Sequence, residues 1–161
     1  MSDLALLARL LREAFAGDPW HGDAFHDLVV DVPAHLSAAK PIPGARSIWE
    51  TVLHCDAWLR ILRLRLLGAP DESAPPATDW PAVGDTGEGA WRAALENLAE
   101  AEKRLREAIL VQSPARFDPA SREYDARLHV QLLGGLAHLA HHGGQVTMLR
   151  RAMGLAPSSR A

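Results

Sequence analysis

Apolar residues recur every three to four positions in four stretches of this sequence, and proline and glycine punctuate the intervals between them. The first stretch covers residues 3–15, where Leu4, Leu7, Leu11 and Ala14 share one helical face, and it ends before Gly17-Asp18-Pro19. A short helical piece is expected after Trp20, ending near Pro33. The second long helix should open at Ser47, an N-cap with Glu50 three residues on as the other half of a capping box. Its seam is Ile48, Val52, Cys55, Leu59, Leu62 and Leu66, and Gly68 stops it. A third helix is predicted over residues 90–110 on a seam of Trp91, Ala94, Leu98, Ala101, Leu105 and Ala108, with Glu100, Lys103, Arg104 and Glu107 on a solvated face. The fourth covers residues 126–153, where Leu128, Leu132, Gly135, Leu139, His142, Val146, Leu149 and Met153 alternate by four and three.

Seams of this kind need partners, so the predicted fold class is all-α, a four-helix bundle. The domain spans 1–161 with its core at about 3–153. No stretch alternates for long enough to make a convincing strand, and β-branched runs and hairpin dipeptides are missing. Residues 68–89 are rich in Pro, Gly, Asp and Ser, and a connection that long in a small domain usually carries function or moves. Trp80 is the residue in it that could pin part of it down.

Composition narrows the functional classes. A chain of 161 residues is long enough to bury about 70% of its unfolded surface without disulfides. With 48% hydrophobic and 23% charged residues and a net charge of -3, it offers no basic surface for a phosphate backbone, so no nucleic-acid partner is expected. Cys55 is the sole cysteine, which rules out an intramolecular disulfide and suits a reducing cytoplasm. Arg9, Arg12 and Glu13 interrupt the first apolar stretch, so neither a signal peptide nor a membrane anchor is expected there. The sequence also lacks a phosphate-binding Walker loop, a Gly-rich dinucleotide turn and a Pro-Cys-x-x-Cys element.

The candidate chemistry lies in the fourth helix, in His138-Leu139-Ala140-His141-His142-Gly143-Gly144-Gln145. A helix turns once every 3.6 residues, so His138 and His142 stand one above the other and can share one cation. The alternative is a pair of hydrogen-bonded interface histidines. Against it, His142 falls in the core-facing seam, where an unpartnered imidazole would cost a few kcal/mol. His54 is the third candidate ligand, because it lies one turn before Trp58 and away from the polar stripe of Asp56, Arg60 and Arg63. Three imidazoles and no thiolate suit zinc or nickel first, with iron, manganese or copper as alternatives, and leave coordination positions for water or substrate. Cys55 points along the apolar seam, about 100° around the helix from His54, and reads as a small buried hydrophobe.

These residues carry a resemblance. The segment Pro41-Ile42-Pro43-Gly44-Ala45-Arg46-Ser47-Ile48-Trp49-Glu50 leading to His54, then Trp58, then His138-x-x-x-His142-x-Gly144-Gln145, resembles the DinB/YfiT-like metalloenzyme family from about Trp20 to Met153. That resemblance implies a bundle in up-down-down-up order with long connections, a divalent metal on the three matching histidines, and frequent homodimers. It also implies a low-molecular-weight thiol, such as bacillithiol or mycothiol, as co-substrate for a small electrophile. His141 stands where the family pattern has an aromatic residue, which leaves it as an alternative ligand to His142.

Several other residues are candidates. Trp20-His21-Gly22 resembles an element found near the start of one subgroup, and His21 is the candidate catalytic proton acceptor. The alternative there is a helix break with Trp20 as core filler. Glu50 could accept the free ring N–H of His54, in competition with its capping role. Gln145 could support a ligand or be structural, and Gly143 and Gly144 suggest close approach of a neighbour. His26, His35 and His129 have no partner at metal-site spacing and are expected at the surface. Trp80 or Trp91, if exposed, would anchor a dimer. The expected function is metal-dependent thiol transfer, with a metal-dependent hydrolase or a non-enzymatic metal-binding bundle as alternatives.

Overall fold

The computed structural model describes residues 3–70 and 75–156. Four long helices form its frame: α1 (Asp3–Ala16), α4 (Ile48–Leu66), α6 (Glu88–Leu110) and α7 (Ala126–Ala152). Shorter pieces fill the connections, namely α2 (Phe25–Val29), α3 (Ala34–Ser37), α5 (Pro76–Asp79) and a 3-10 turn at Pro114–Phe117. No strand occurs among the described residues.

Local chemistry explains where the long helices begin. The Ser47 hydroxyl accepts from the Glu50 amide at 3.1 Å while the Glu50 carboxylate accepts from the Ser47 amide at 2.8 Å, the reciprocal capping box the sequence predicts. Asp125 caps α7 by accepting from the Leu128 amide at 3.0 Å. α6 starts two residues earlier than the seam implies, at Glu88, whose carboxylate accepts from the Ala34 amide of α3 at 3.1 Å.

α1 packs against α6 and α7, and α4 packs against the same two helices, so the four close around one core. Leu98, Leu105, Leu139, Val52 and Val146 lie at its centre, almost wholly removed from water. Gly135 lies against Leu62 of α4, where a methyl group would meet Leu62 Cδ1 at 2.6 Å and force that side chain to shift. Gly143 faces Leu28 of α2, while a side chain on Gly144 would meet nothing, so the close approach expected at both holds only for the first.

The expected single helical piece after Trp20 is instead the pair α2 and α3, separated by Pro33, which cannot donate to a continuing helix. Arg150 of α7 ties this pair to the bundle. It is buried, donates to the Leu28 carbonyl at 2.9 Å, and grips the Asp31 carboxylate with both terminal nitrogens at 2.5 and 2.9 Å. Two further expectations need correction. Trp91 is buried against Trp49 and its indole N–H donates to the Val32 carbonyl at 2.7 Å, so it is core and not a dimer anchor. His26 and His129 are half-buried against Phe15 and against Phe117 and Tyr124, so of these three only His35 is exposed as expected.

Candidate metal centre

α4 and α7 cross so that His54, one turn before Trp58, meets His138 and His142. One ring nitrogen from each of the three lies within 4.8 Å of the other two. His138 Nε2 is 2.9 Å from His54 Nε2 and 3.0 Å from His142 Nε2. Metal–nitrogen bonds of about 2.0–2.1 Å bring two nitrogens on one ion no further apart than about 4.1 Å, and both separations fall inside that limit. His54 and His142 are buried and His138 is half-buried.

The outer nitrogens decide what the inner ones can do. His54 Nδ1 sits 2.5 Å from the backbone carbonyl of Asp79, and a carbonyl oxygen can only accept, so Nδ1 carries the hydrogen and Nε2 keeps its lone pair. His142 Nδ1 likewise donates to Gln145 Oε1 at 2.7 Å, which turns a second Nε2 lone pair inward. His138 Nε2 lies between the two and has at most one hydrogen to direct at one of them. Three neutral imidazoles therefore leave at least one short nitrogen–nitrogen contact with no hydrogen in it. A cation at their centre would satisfy all three, so the residues present fit a bound metal.

Burial pushes the pKa of His138 down to about 4, with the neighbouring rings of His142 and His54 adding to the effect. Burial also carries His142 down to about 4, against the opposing pull of Gln145, and His54 is lowered chiefly by burial while Asp79 opposes. All three are thus neutral near pH 7, the form that can donate a lone pair. Among the described residues no carboxylate or thiolate joins the three histidines as a ligand.

The flanking residues include two the sequence did not single out as partners. Asp79, at the end of α5, supplies its carbonyl to His54 and its carboxylate to the Trp58 indole N–H at 2.7 Å. Trp80 stacks on the His54 ring with centroids 3.8 Å apart and planes 7° from parallel, and the Arg46 guanidinium lies over the same indole at 4.7 Å. Glu50 does not reach His54. Its oxygens are taken by the Ser47 amide, Lys40 and Arg46, and although burial alone would raise its pKa, these partners hold it at about 2. Cys55 is fully buried with its thiol pKa raised well above the usual range, in keeping with a core role.

His141 is exposed and lies outside the cluster, with its Nε2 accepting from the Gln145 amide nitrogen at 3.0 Å. His21 is not brought to the histidines either. It lies beside a fully solvated Trp20, 96% exposed and so no core filler, and both border a separate groove with Leu136, Ala137 and Ala140. His54 and His138 themselves line a cleft of about 330 Å³ with Trp58, Arg65, Asp79 and Gln131. The centre therefore borders a space a small molecule can enter.

Comparison with known families gives a match between the model of the DinB superfamily and residues 20–146, which is most of the chain and includes all three histidines. The chain belongs to the DinB superfamily. Comparisons with curated proteins and with solved structures find no match. The DinB superfamily match begins at Trp20, so α1 lies outside it, and it ends at Val146, before α7 terminates. No helix among the described residues of this DinB-superfamily chain is long and apolar enough to cross a membrane.

Proposed function

We propose that His54, His138 and His142 hold one divalent cation, and that the protein is a metal-dependent transferase joining a low-molecular-weight thiol to a small electrophile. The observation that supports the metal is the shortage of hydrogens among three inward-facing Nε2 atoms, two of which are held as lone pairs by Asp79 and Gln145. Zinc or nickel suits the all-imidazole donor set best. When bound, such an ion lowers the pKa of a coordinated thiol, which in free solution near pKa 8.5 is only a few per cent ionised at pH 7.

The chain's own groups supply the rest. Asp79 and Gln145 fix the ligand tautomers, burial keeps protons off the rings, and Trp80 closes one flank of His54. The cleft beside His138, at about 330 Å³, is within the size range of small-molecule sites, and Trp58 and Arg65 give it an aromatic wall and a cationic group. In the transfer the thiol proton passes to solvent, a sulfur–carbon bond forms, and the leaving group departs with the electrons of the bond it breaks. The reading gives His21 no part, because it borders a different groove. A homodimer in the cytoplasm completes the proposal and rests on the family resemblance and on the single cysteine.

The test is to assay bacillithiol, mycothiol, coenzyme A and glutathione against a panel of electrophiles, with metal-free protein and the His54→Ala variant as controls. A thiol-dependent rate that requires both metal and His54 is expected. Metal-dependent turnover of esters or amides with no thiol reaction would replace the transferase with a hydrolase. Silence in both panels would leave a metal-binding bundle without catalysis.

A further inference from the structure

The three ligands are supported unequally. Gln145 lies on the same helix as His142, three residues on, and moves with it. His54 takes its support from a separate segment, 25 residues away in sequence, on the connection between α4 and α6. Among the described residues, little else holds that segment. α5 is four residues long and buries none of them, and its internal hydrogen bonds are local ones from the Thr78, Asp79 and Trp80 amides to Pro75 and Pro76. A single turn of helix is far too short to be stable alone.

What fixes residues 75–80 in place is a set of contacts centred on His54. Asp79 accepts the Nδ1 hydrogen with its carbonyl, ties its carboxylate to Trp58 one turn further along α4, and is followed by Trp80, stacked flat on the His54 ring under Arg46. We propose that Asp79 and Trp80 are positioning residues for His54, so that docking of this segment and occupancy of the metal site form one linked equilibrium. The inference rests on the metal reading above.

The physical link runs through the imidazole. A cation on Nε2 draws electron density out of the ring, which makes the Nδ1 hydrogen a stronger donor to the Asp79 carbonyl. It also makes the ring more electron-poor, which favours its stacking on the electron-rich indole of Trp80. Both contacts tighten when metal binds. Because the coupling of two binding events is reciprocal, a docked segment must raise metal affinity by the factor by which metal favours docking. The consequence reaches the substrate, since Asp79 borders the cleft that holds His54 and His138 while Trp80 borders a second one, of about 350 Å³, with Arg46, Gln145 and Met148. Metal occupancy thereby shapes the walls of both.

Chelator competition with zinc and nickel would measure affinity for the full-length wild type, Trp80→Phe, Trp80→Ala and Asp79→Ala. Amide hydrogen exchange at Thr78, Asp79 and Trp80 would be followed with and without metal. Trp80→Ala should bind about 10–100-fold more weakly, the usual range for loss of a ligand's supporting contact. Trp80→Phe, which keeps a stacking ring, should recover most of that, and Asp79→Ala, which keeps the backbone carbonyl, should fall between. In the wild type, metal should slow exchange at the three amides. Unchanged affinity in Trp80→Ala, or exchange indifferent to metal in the wild type, would overturn the inference and leave the metal site standing. Failure of the wild type to bind any divalent metal would remove the metal reading and this inference with it.

Discussion

Two acceptors, a backbone carbonyl and a side-chain amide oxygen, turn His54 and His142 into lone-pair donors aimed at His138. Alanine at any one of the three should therefore abolish tight uptake of zinc or nickel, whereas alanine at His26, His35 or His129 should not, as metal analysis of the six variants would show. The pH dependence follows from burial. The unperturbed histidine value near 6.5 suggests that protons begin to displace the metal just below neutrality. Burial holds His138 and His142 down at about 4 and lowers His54 as well, so the fall in affinity should be displaced below pH 6.5 and continue as pH drops through about 4. The sign for stability is the same. These folded-state values lie below the unfolded one, so the unfolded chain binds more protons between about 4 and 6.5, and the metal-free protein should lose stability as pH falls through that window. Chelator competition and urea titration across pH would check the two statements, and a midpoint near 6.5 in both would contradict the burial argument. His138 and His142 were legible as ligand candidates from their four-residue spacing, and His54 from its place off the polar stripe. Asp79 was not, because its contact with His54 runs through a backbone carbonyl and leaves no trace in residue type.

At the level of elements, the seams placed all four long helices, since each buries a stripe of apolar residues, and the Ser47 capping box marked where α4 starts, whereas the Asp125 cap of α7 emerged only in the fold. α5 escaped, since one turn has no periodicity, and Pro75-Pro76 followed by Ala77-Thr78-Asp79 reads as loop. Arg150 also escaped as a buried group, because only the folded chain brings Asp31 to it. Glycine in α7 gives a paired prediction. Gly144 has open space around its Cβ direction, so Gly144→Ala should stabilise the protein by about 0.5–1 kcal/mol through helix propensity. Gly135→Ala gains the same propensity but drives a methyl group to 2.6 Å from Leu62 Cδ1 in the buried α4–α7 contact. Overpacking costs about 1–3 kcal/mol, so the net change there should be destabilising by roughly 1 kcal/mol. Denaturant midpoints of the two variants should move in opposite directions. Movement of both upward would mean that Leu62 yields without cost.

For the molecule as a whole, the histidines join α4 to α7 across 84 residues of sequence, so a metal on them closes a long-range link that the hydrophobic seams leave to packing alone. The unfolded chain has no reason to hold His54 beside His138, and a ligand that binds only the folded state stabilises it by mass action. At about 100 times Kd of free zinc or nickel the gain is about 2.7 kcal/mol. For a chain of 161 residues each kcal/mol shifts Tm by about 2–4 °C, so metal should raise the melting temperature by roughly 5–10 °C. The His54→Ala protein, with the same α7 pair but no bridge to α4, should show little of this shift. Differential scanning calorimetry with and without metal decides the matter. An equal shift in the wild type and the His54→Ala variant would place the ion on α7 alone, and no shift with any divalent metal would mean that the cluster does not bind one.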